Sequence, residues 1–248
     1  MQNRPSETRA TLRERLGWTL LLVAVSGFGF MYIDARNAMF TDAGNALPLE
    51  TRLDAYIPFV PEFVLAYYLY YPWLLLPLLV LKEREPYFRA LLAFLIMQIV
   101  AGVTFVAFPS YMVRPEVIPP GMAGDLVRAI YRTDMGWNVF PSLHVAHSVL
   151  VALLFFKHAR SAFAVISVAV GSALISASTV LIKQHWIVDV PAGIALAWFC
   201  FRLAQMPLPV AEPSRIAARN ARALAWRDAL FMRPPGSRRA GEKRDTLS

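Results

Sequence analysis

Residues 178–193 read STVLIKQHWIVDVPAG and place three ionisable side chains, Lys183, His185 and Asp189, between two strongly apolar runs. Ionisable groups are costly to bury in a membrane or a protein core unless they are paired or used in function. What this histidine and this carboxylate do therefore depends on where the membrane lies along the chain.

The composition is that of a polytopic membrane protein. The chain has 248 residues, 57% of them hydrophobic, and a mean hydropathy of +0.45, which is too apolar for an ordinary soluble domain. The single cysteine, Cys200, cannot form an internal disulfide, so cysteine usage gives no information about the redox compartment.

Six apolar runs predict an all-α bundle of six transmembrane helices. They lie at roughly Leu16–Ile33, Ile57–Leu81, Tyr87–Phe108, Leu143–Phe156, Phe163–Ile182 and Trp186–Leu203. A span needs about 20 apolar residues, so the fourth run needs residues 135–142 to complete it. Glu7 and Glu14 spoil the basic leader of a secretory signal, so we interpret the first run as a retained span. The pattern predicts a cytoplasmic N-terminus (1–15), a catalytic membrane domain (16–207) and a basic, partly disordered cytoplasmic tail (208–248).

The distribution of basic residues predicts the orientation. If all six runs span, 19 of the 25 Lys and Arg residues lie on the side of the two termini and six on the other. This asymmetry predicts cytoplasmic termini. The active site would then lie on the outer, periplasmic face, with a bacterial inner membrane as the expected location. The net charge of +8 is mostly topological, so no nucleic-acid partner is predicted.

Polar residues from three separate stretches meet on that outer face. Each lies in a loop or at the end of a span, which is the arrangement that an interfacial active site requires. The candidates are Arg114, Ser142, His144, Ser178, Lys183, His185 and Asp189.

These residue types suit phosphoryl transfer. Pro141 fits the first turn of a helix, and the free N–H groups that follow would bind phosphate oxygens. His185 and Asp189 are four residues apart and would share one helical face, so that the carboxylate fixes the tautomer of the imidazole. His185 would attack phosphorus, His144 would protonate the leaving oxygen, and Arg114 would hold phosphate oxygens. This chemistry needs no metal or cofactor.

Two motifs resemble the type 2 phosphatidic acid phosphatase superfamily, which has six spans and contains lipid phosphatases and phosphotransferases. They are PSLH (141–144) and Ser178 followed by H-x-x-x-D (185–189). The resemblance implies that His185 is the nucleophile, Asp189 its partner and His144 the acid. It also implies that Ser142 and Ser178 help to bind phosphate.

Departures from that pattern favour one branch of the superfamily. The first motif is a lysine, six residues and then Arg-Pro; here Arg114-Pro115 matches, but Ala107 stands at the position of the lysine. Phosphatase members usually have an arginine after the third-motif serine, where this chain has Thr179. Residues 57–73 and 177–193 look more like inositol phosphorylceramide synthases and other head-group transferases. The resemblance therefore implies a head-group phosphotransferase acting on a phospholipid, a lipid phosphate or a ceramide-type acceptor.

Several alternatives remain open. The main one is a lipid phosphate or polyprenyl diphosphate phosphatase of the same superfamily. Others are a metal site formed by His144, His147, His185 and Asp189, and a non-catalytic lipid transporter. Lys183 could instead be an interfacial residue whose charge reaches water. The sequence does not decide whether His147 and Glu62 take part, and it does not predict an oligomeric state.

Overall fold

The computed structural model describes residues 9–207, and the predicted basic tail lies outside the described residues. Within them every regular element is helical, which confirms the all-α class. The α-helices are α1 (Leu12–Phe40), α2 (Val64–Tyr68), α3 (Tyr70–Trp73), α4 (Pro77–Val80), α5 (Arg84–Ala107), α6 (Met122–Thr133), α7 (Leu143–His158), α8 (Ala162–Leu181) and α9 (Asp189–Gln205). Short 3₁₀ turns lie at Ala43–Asn45, Asp54–Tyr56 and Pro61–Phe63.

Three of these helices are long and apolar enough to cross a membrane. They are α1, α5 and α8, with 29, 24 and 20 residues. This fits an integral membrane protein. The apolar helix α7 has 16 residues, which is shorter than the ~20 that a span usually needs. The number of spans therefore stays a prediction.

The second apolar run does not form the single helix that its hydropathy predicts. Residues 61–80 form a 3₁₀ turn and the three short helices α2, α3 and α4. Pro72 and Pro77 have no N–H to continue an α-helix. Between α3 and α4 the hydrogen bonds are of the 3₁₀ type, as from Leu75 N–H to the Pro72 carbonyl (3.1 Å). The α-helix is therefore interrupted by turns at Leu69 and at residues 74–76.

An amphipathic helix, α6, occupies the segment that the sequence pattern predicted as a loop. Val127 and Ile130 on its apolar face are buried against Val64 and Ile182. Its other face is polar and carries the ion pair between Asp125 and Arg128 (2.6 Å). Because this twelve-residue helix is amphipathic, polar residues separate its apolar residues in the sequence, and no continuous apolar run exists for hydropathy to detect.

Helix α7 lies at the centre of the described residues and packs against α5, α8 and α9. Gly193 in α9 lies directly against the start of α7. A Cβ atom there would be 2.7 Å from the Ser142 carbonyl oxygen and 2.9 Å from Val145 Cβ. This close approach brings the first turns of α7 and α9 together, and with them three of the candidate site residues, Ser142, His144 and Asp189.

Candidate active site

The chain reverses direction sharply after α8, and this turn positions His185. Lys183 has a φ of 52°, in the left-handed region. Its N–H donates to the Val180 carbonyl (3.1 Å), and the Gln184 N–H donates to the Thr179 carbonyl (2.9 Å). These two bonds form a Schellman motif, in which glycine usually occupies the left-handed position. The His185 N–H also donates to the Thr179 carbonyl (3.1 Å), so the buried end of α8 fixes the backbone of His185.

The imidazole of His185 is held through one nitrogen. Nδ1 lies 2.9 Å from the Val139 carbonyl oxygen and 3.2 Å from Asp189 Oδ2. A carbonyl oxygen can only accept a hydrogen bond, so Nδ1 carries the proton. In the neutral ring Nε2 therefore carries the lone pair.

Asp189 is the first residue of α9, and its carboxylate connects that helix to the preceding turn. Oδ2 accepts from the Trp186 N–H (2.9 Å) as well as from His185, and Oδ1 has no hydrogen-bond partner in the described residues. The expectation that both residues lie on one helical face is wrong, because His185 precedes the helix. The pair forms because the turn folds His185 back onto the carboxylate.

The start of α7 brings the second histidine to the same place. Ser142 caps the helix, with Oγ accepting from the Val145 N–H (3.3 Å). The expectation for Pro141 is wrong, because it lies one residue before the cap and outside the first turn. The first internal hydrogen bond of α7 is donated by Ala146, so the N–H groups of Leu143 and His144 are not used within the helix.

The ring of His144 faces His185 and is enclosed by tyrosines. The two imidazole centroids are 5.8 Å apart. The rings of Tyr67 and Tyr70, from the irregular second run, lie 4.6 Å and 4.3 Å from that of His144. These tyrosines fix the position of His144 and were not assigned a site role from the sequence.

Arg114 lies beside the site but is already paired. Nη2 forms an ion pair with Asp134 (2.7 Å) and donates to Gln184 Oε1 (3.0 Å), next to His185 in the chain. The guanidinium carbon lies 4.3 Å from the centroid of the Tyr131 ring. Burial raises the pKa of Tyr131 to about 12, so its hydroxyl stays protonated and donates to the Ile182 carbonyl (2.6 Å). Sequence reasoning missed Asp134, which compensates the charge of Arg114.

Two other predicted phosphate-binding residues have their polar atoms on backbone carbonyls. The fully buried Ser178 donates from Oγ to the Ile175 carbonyl (2.7 Å). Lys183 donates from Nζ to the Ile57 carbonyl (2.7 Å). In residues 9–207 neither side chain forms a hydrogen bond or ion pair with His185 or His144. Their phosphate-binding role stays a prediction.

Polar residues at the end of α1 support the loop that holds His185. Asp34 accepts hydrogen bonds from the N–H groups of Met135 (2.8 Å) and Trp137 (3.1 Å). The Asn37 side chain donates to Asn138 Oδ1 (2.9 Å). These contacts lie directly before Val139, whose carbonyl fixes the tautomer of His185. The only sequence signal for them is a pair of polar residues three apart after an apolar run.

A largely apolar cavity of about 430 Å³ opens beside His144. Its walls come from α1, the irregular second run, α5, α6 and α7. Tyr67, Tyr70 and Tyr71 line it together with Asp134 and His144. The site thus continues from a polar end at the histidines into an apolar space of a size suited to part of a lipid.

No group of three or more His, Cys, Asp or Glu side chains in residues 9–207 is arranged to hold a metal ion.

A family model described as the PAP2 superfamily matches residues 47–203, which is more than half of the chain. The chain belongs to the PAP2 superfamily. The matched region begins after α1 and contains Arg114, His144, His185 and Asp189. No curated protein and no solved structure matches the chain.

Membership of the PAP2 superfamily confirms the resemblance at the level of the superfamily. It suggests phosphatase or phosphotransferase activity on lipid phosphates, and the members are generally phosphatases.

Proposed function

We propose that this PAP2 protein transfers a phosphoryl-linked head group between lipids through a phosphohistidine at His185. The observation that carries the proposal is the protonated Nδ1 of His185, held between the Val139 carbonyl and Asp189. With the proton on Nδ1, the lone pair of the ring is on Nε2, on the side of the ring away from these acceptors. Nucleophilic catalysis by histidine requires this tautomer.

In the first step Nε2 of His185 attacks the phosphorus of the donor lipid. An N–P bond forms while the bond from phosphorus to the leaving oxygen breaks. His144, which begins this step as the imidazolium, gives a proton to that oxygen and becomes neutral. The imidazole becomes positively charged, and the Asp189 carboxylate stabilises it. The unused N–H groups of Leu143 and His144 are available to hold the phosphoryl oxygens at the start of α7.

In the second step a hydroxyl group attacks the phosphohistidine. His144, now neutral, takes the proton of that hydroxyl while a new O–P bond forms and the N–P bond breaks. The electron pair returns to Nε2, and both histidines recover their starting states. The same sequence gives a transferase when the attacking hydroxyl belongs to a lipid and a phosphatase when it belongs to water.

Two features of the site favour transfer over hydrolysis. His185 is only 6% exposed, and the adjoining cavity is largely apolar, so competing water has limited access. Thr179, at the position of the arginine of phosphatase members, is fully buried and donates to the Ser176 carbonyl. The charge of Arg114 is compensated by Asp134. This site therefore has less free positive charge for a phosphate monoester than the phosphatase pattern provides.

The second candidate is a lipid phosphate or polyprenyl diphosphate phosphatase. The observation in its favour is the superfamily itself, whose members are generally phosphatases.

The two candidates are separated by their products. Purified protein in lipid nanodiscs is incubated with lipid monophosphates, diphosphates and phosphodiesters, with and without inositol, ceramide and diacylglycerol, in EDTA. Mass spectrometry of the products should show a new head-grouped lipid and little free phosphate. Free phosphate as the main product would establish the phosphatase. Activity that appears only when a metal is added would contradict the histidine mechanism.

The covalent step has its own test. A donor labelled with ³²P in the head-group phosphate should label the protein rapidly, with a bond that survives alkali and breaks in acid, as phosphohistidine does. His185→Ala should abolish the label. His158→Ala is the matched control, because His158 lies at the other end of α7. Undiminished labelling of His185→Ala would exclude His185 as the nucleophile.

A further inference from the structure

Two polar atoms of residues that line the apolar cavity have no hydrogen-bond partner in the described residues. They are Nε2 of His147 and Oε1 of Gln98, both buried, and both residues line the cavity together with His144. His147 is only 5% exposed, and its Nδ1 is engaged with the Tyr70 hydroxyl (2.7 Å). Buried polar groups are nearly always hydrogen-bonded, so two exceptions in one cavity need an explanation.

Both atoms are closed off from the cavity, so a ligand reaches them only when the two side chains turn toward it. A hydroxyl group placed within hydrogen-bond distance of both would then satisfy them. Gln98 Oε1 can only accept, so its partner must donate. The Nε2 atom of His147 donates or accepts according to the tautomer that the Tyr70 hydroxyl selects. A hydroxyl can donate to the first and pair with the second in either tautomer, whereas an ester carbonyl cannot donate at all.

The rest of the cavity wall is suited to a hydrocarbon chain. Leu22, Phe30, Leu91 and Phe94 line it from α1 and α5. His147 lies three residues after His144 on α7, which is about 4.5 Å along the helix axis. His147 therefore lies slightly less than one helical turn further along α7 than His144, and both residues line the same apolar cavity.

We propose that the cavity binds a long-chain lipid with a hydroxyl group, and that His147 and Gln98 are the residues that position this hydroxyl. Neither residue has a role in the two-step reaction above. The role of the bound lipid rests on the proposed phosphotransferase function: in that reaction the lipid is the acceptor of the head group. The binding itself does not depend on catalysis.

A pair of photoreactive probes tests the binding. One is a long-chain primary alcohol with a diazirine in the middle of its chain, and the other is its methyl ether, which accepts but cannot donate. Each is added to the full-length protein in nanodiscs, irradiated and mapped by peptide mass spectrometry. Labelling of the exposed face of α8, for example at Ile166 and Val170, reports partitioning into the bilayer and normalises the comparison.

We expect the alcohol to label the cavity segments of α1 and α5 roughly tenfold more than the ether, because the ether leaves Gln98 without a donor. His147→Phe and Gln98→Met keep the size of the side chains and should bring this ratio close to one. Thr104→Ala is the control on α5, because Thr104 bonds to the Val100 carbonyl and does not line the cavity. It should keep the wild-type ratio.

Equal labelling by alcohol and ether in the wild-type protein would overturn the proposal without any variant. So would a preference that persists in both His147→Phe and Gln98→Met. The measurement is repeated on His185→Ala, which should bind the alcohol normally. An intact preference in a wild-type protein that makes no head-grouped lipid would refute the proposed function and leave the hydroxyl site standing.

Discussion

At the residue scale, two acceptors fix the tautomer of His185, so Asp189 is not needed for this purpose alone. The Val139 carbonyl alone can hold the Nδ1 proton, so Asp189 contributes mainly by stabilising the positive charge that develops on the ring. We expect Asp189→Asn to lower kcat about 10²-fold with little change in KM. His185→Ala should lose all covalent turnover. Single-turnover rates in nanodiscs measure both, and an Asp189→Asn enzyme with the wild-type rate would show that the carboxylate is only structural.

Lys183 offers a test between a structural and a phosphate-binding role. Its φ of 52° is disfavoured for side chains with a Cβ atom and costs glycine nothing. We expect Lys183→Gly to keep activity within about twofold, since the Schellman turn is preserved. The β-branched variant Lys183→Val should lower the free energy of unfolding by about 1–2 kcal/mol. Thermal unfolding and KM are compared in the same nanodiscs, and a large rise in KM for Lys183→Gly with unchanged unfolding would favour phosphate binding.

The residues that the sequence could identify are those within short motifs. His144, His185 and Asp189 follow fixed local spacings, and the structure places them together. Asp134 and Asn37 could not be identified in this way, because their partners Arg114 and Asn138 lie 20 and 101 residues away. No local pattern reports such a pairing, and only the folded chain brings these side chains into contact.

At the scale of elements, the contact between α7 and α9 decides whether the two halves of the site meet. A Cβ at Gly193 would lie 2.7 Å from a backbone oxygen, which cannot rotate away. We expect Gly193→Ala to destabilise the protein by about 1–3 kcal/mol and to lower kcat at least tenfold by moving Asp189 away from α7. Gly29→Ala in α1 is the control, because nothing lies within 4 Å of its added Cβ. Equal unfolding temperatures and rates for the two variants would contradict this role for the contact.

Hydropathy predicted some elements closely and failed at others for physical reasons. The observed bounds of α5 and α8 are within three residues of the predicted runs, since long uniform apolar segments leave little ambiguity. The prediction of a single helix for the second run was wrong, because the prolines of this run interrupt backbone hydrogen bonding without lowering its hydropathy. Hydropathy did not predict helix α6, because the stability of this helix comes from the face that it packs against Val64 and Ile182.

At the scale of the whole molecule, α1 lies outside the region that matches the PAP2 superfamily, yet it contributes to the site. Asp34 and Asn37 support the loop before His185, and Phe30 lines the cavity. Most of its remaining surface is exposed apolar side chain. We infer that the catalytic domain includes all of α1 and so begins by Leu12, before the predicted boundary at residue 16.

The number of spans and the side of the site can be decided together by cysteine accessibility. In a Cys200→Ser background, single cysteines replace three exposed residues, Lys82, Val117 and Arg160. If all six runs cross with the termini inside, Val117→Cys lies outside and the other two lie inside. If only α1, α5 and α8 cross, Lys82→Cys lies outside and the other two lie inside. An impermeant maleimide applied to intact cells should label Val117→Cys alone, and permeabilisation should expose all three. Labelling of Lys82→Cys alone in intact cells would contradict six spans. In that topology the loop with Arg114 would lie inside, whereas His185, which follows α8, would lie outside.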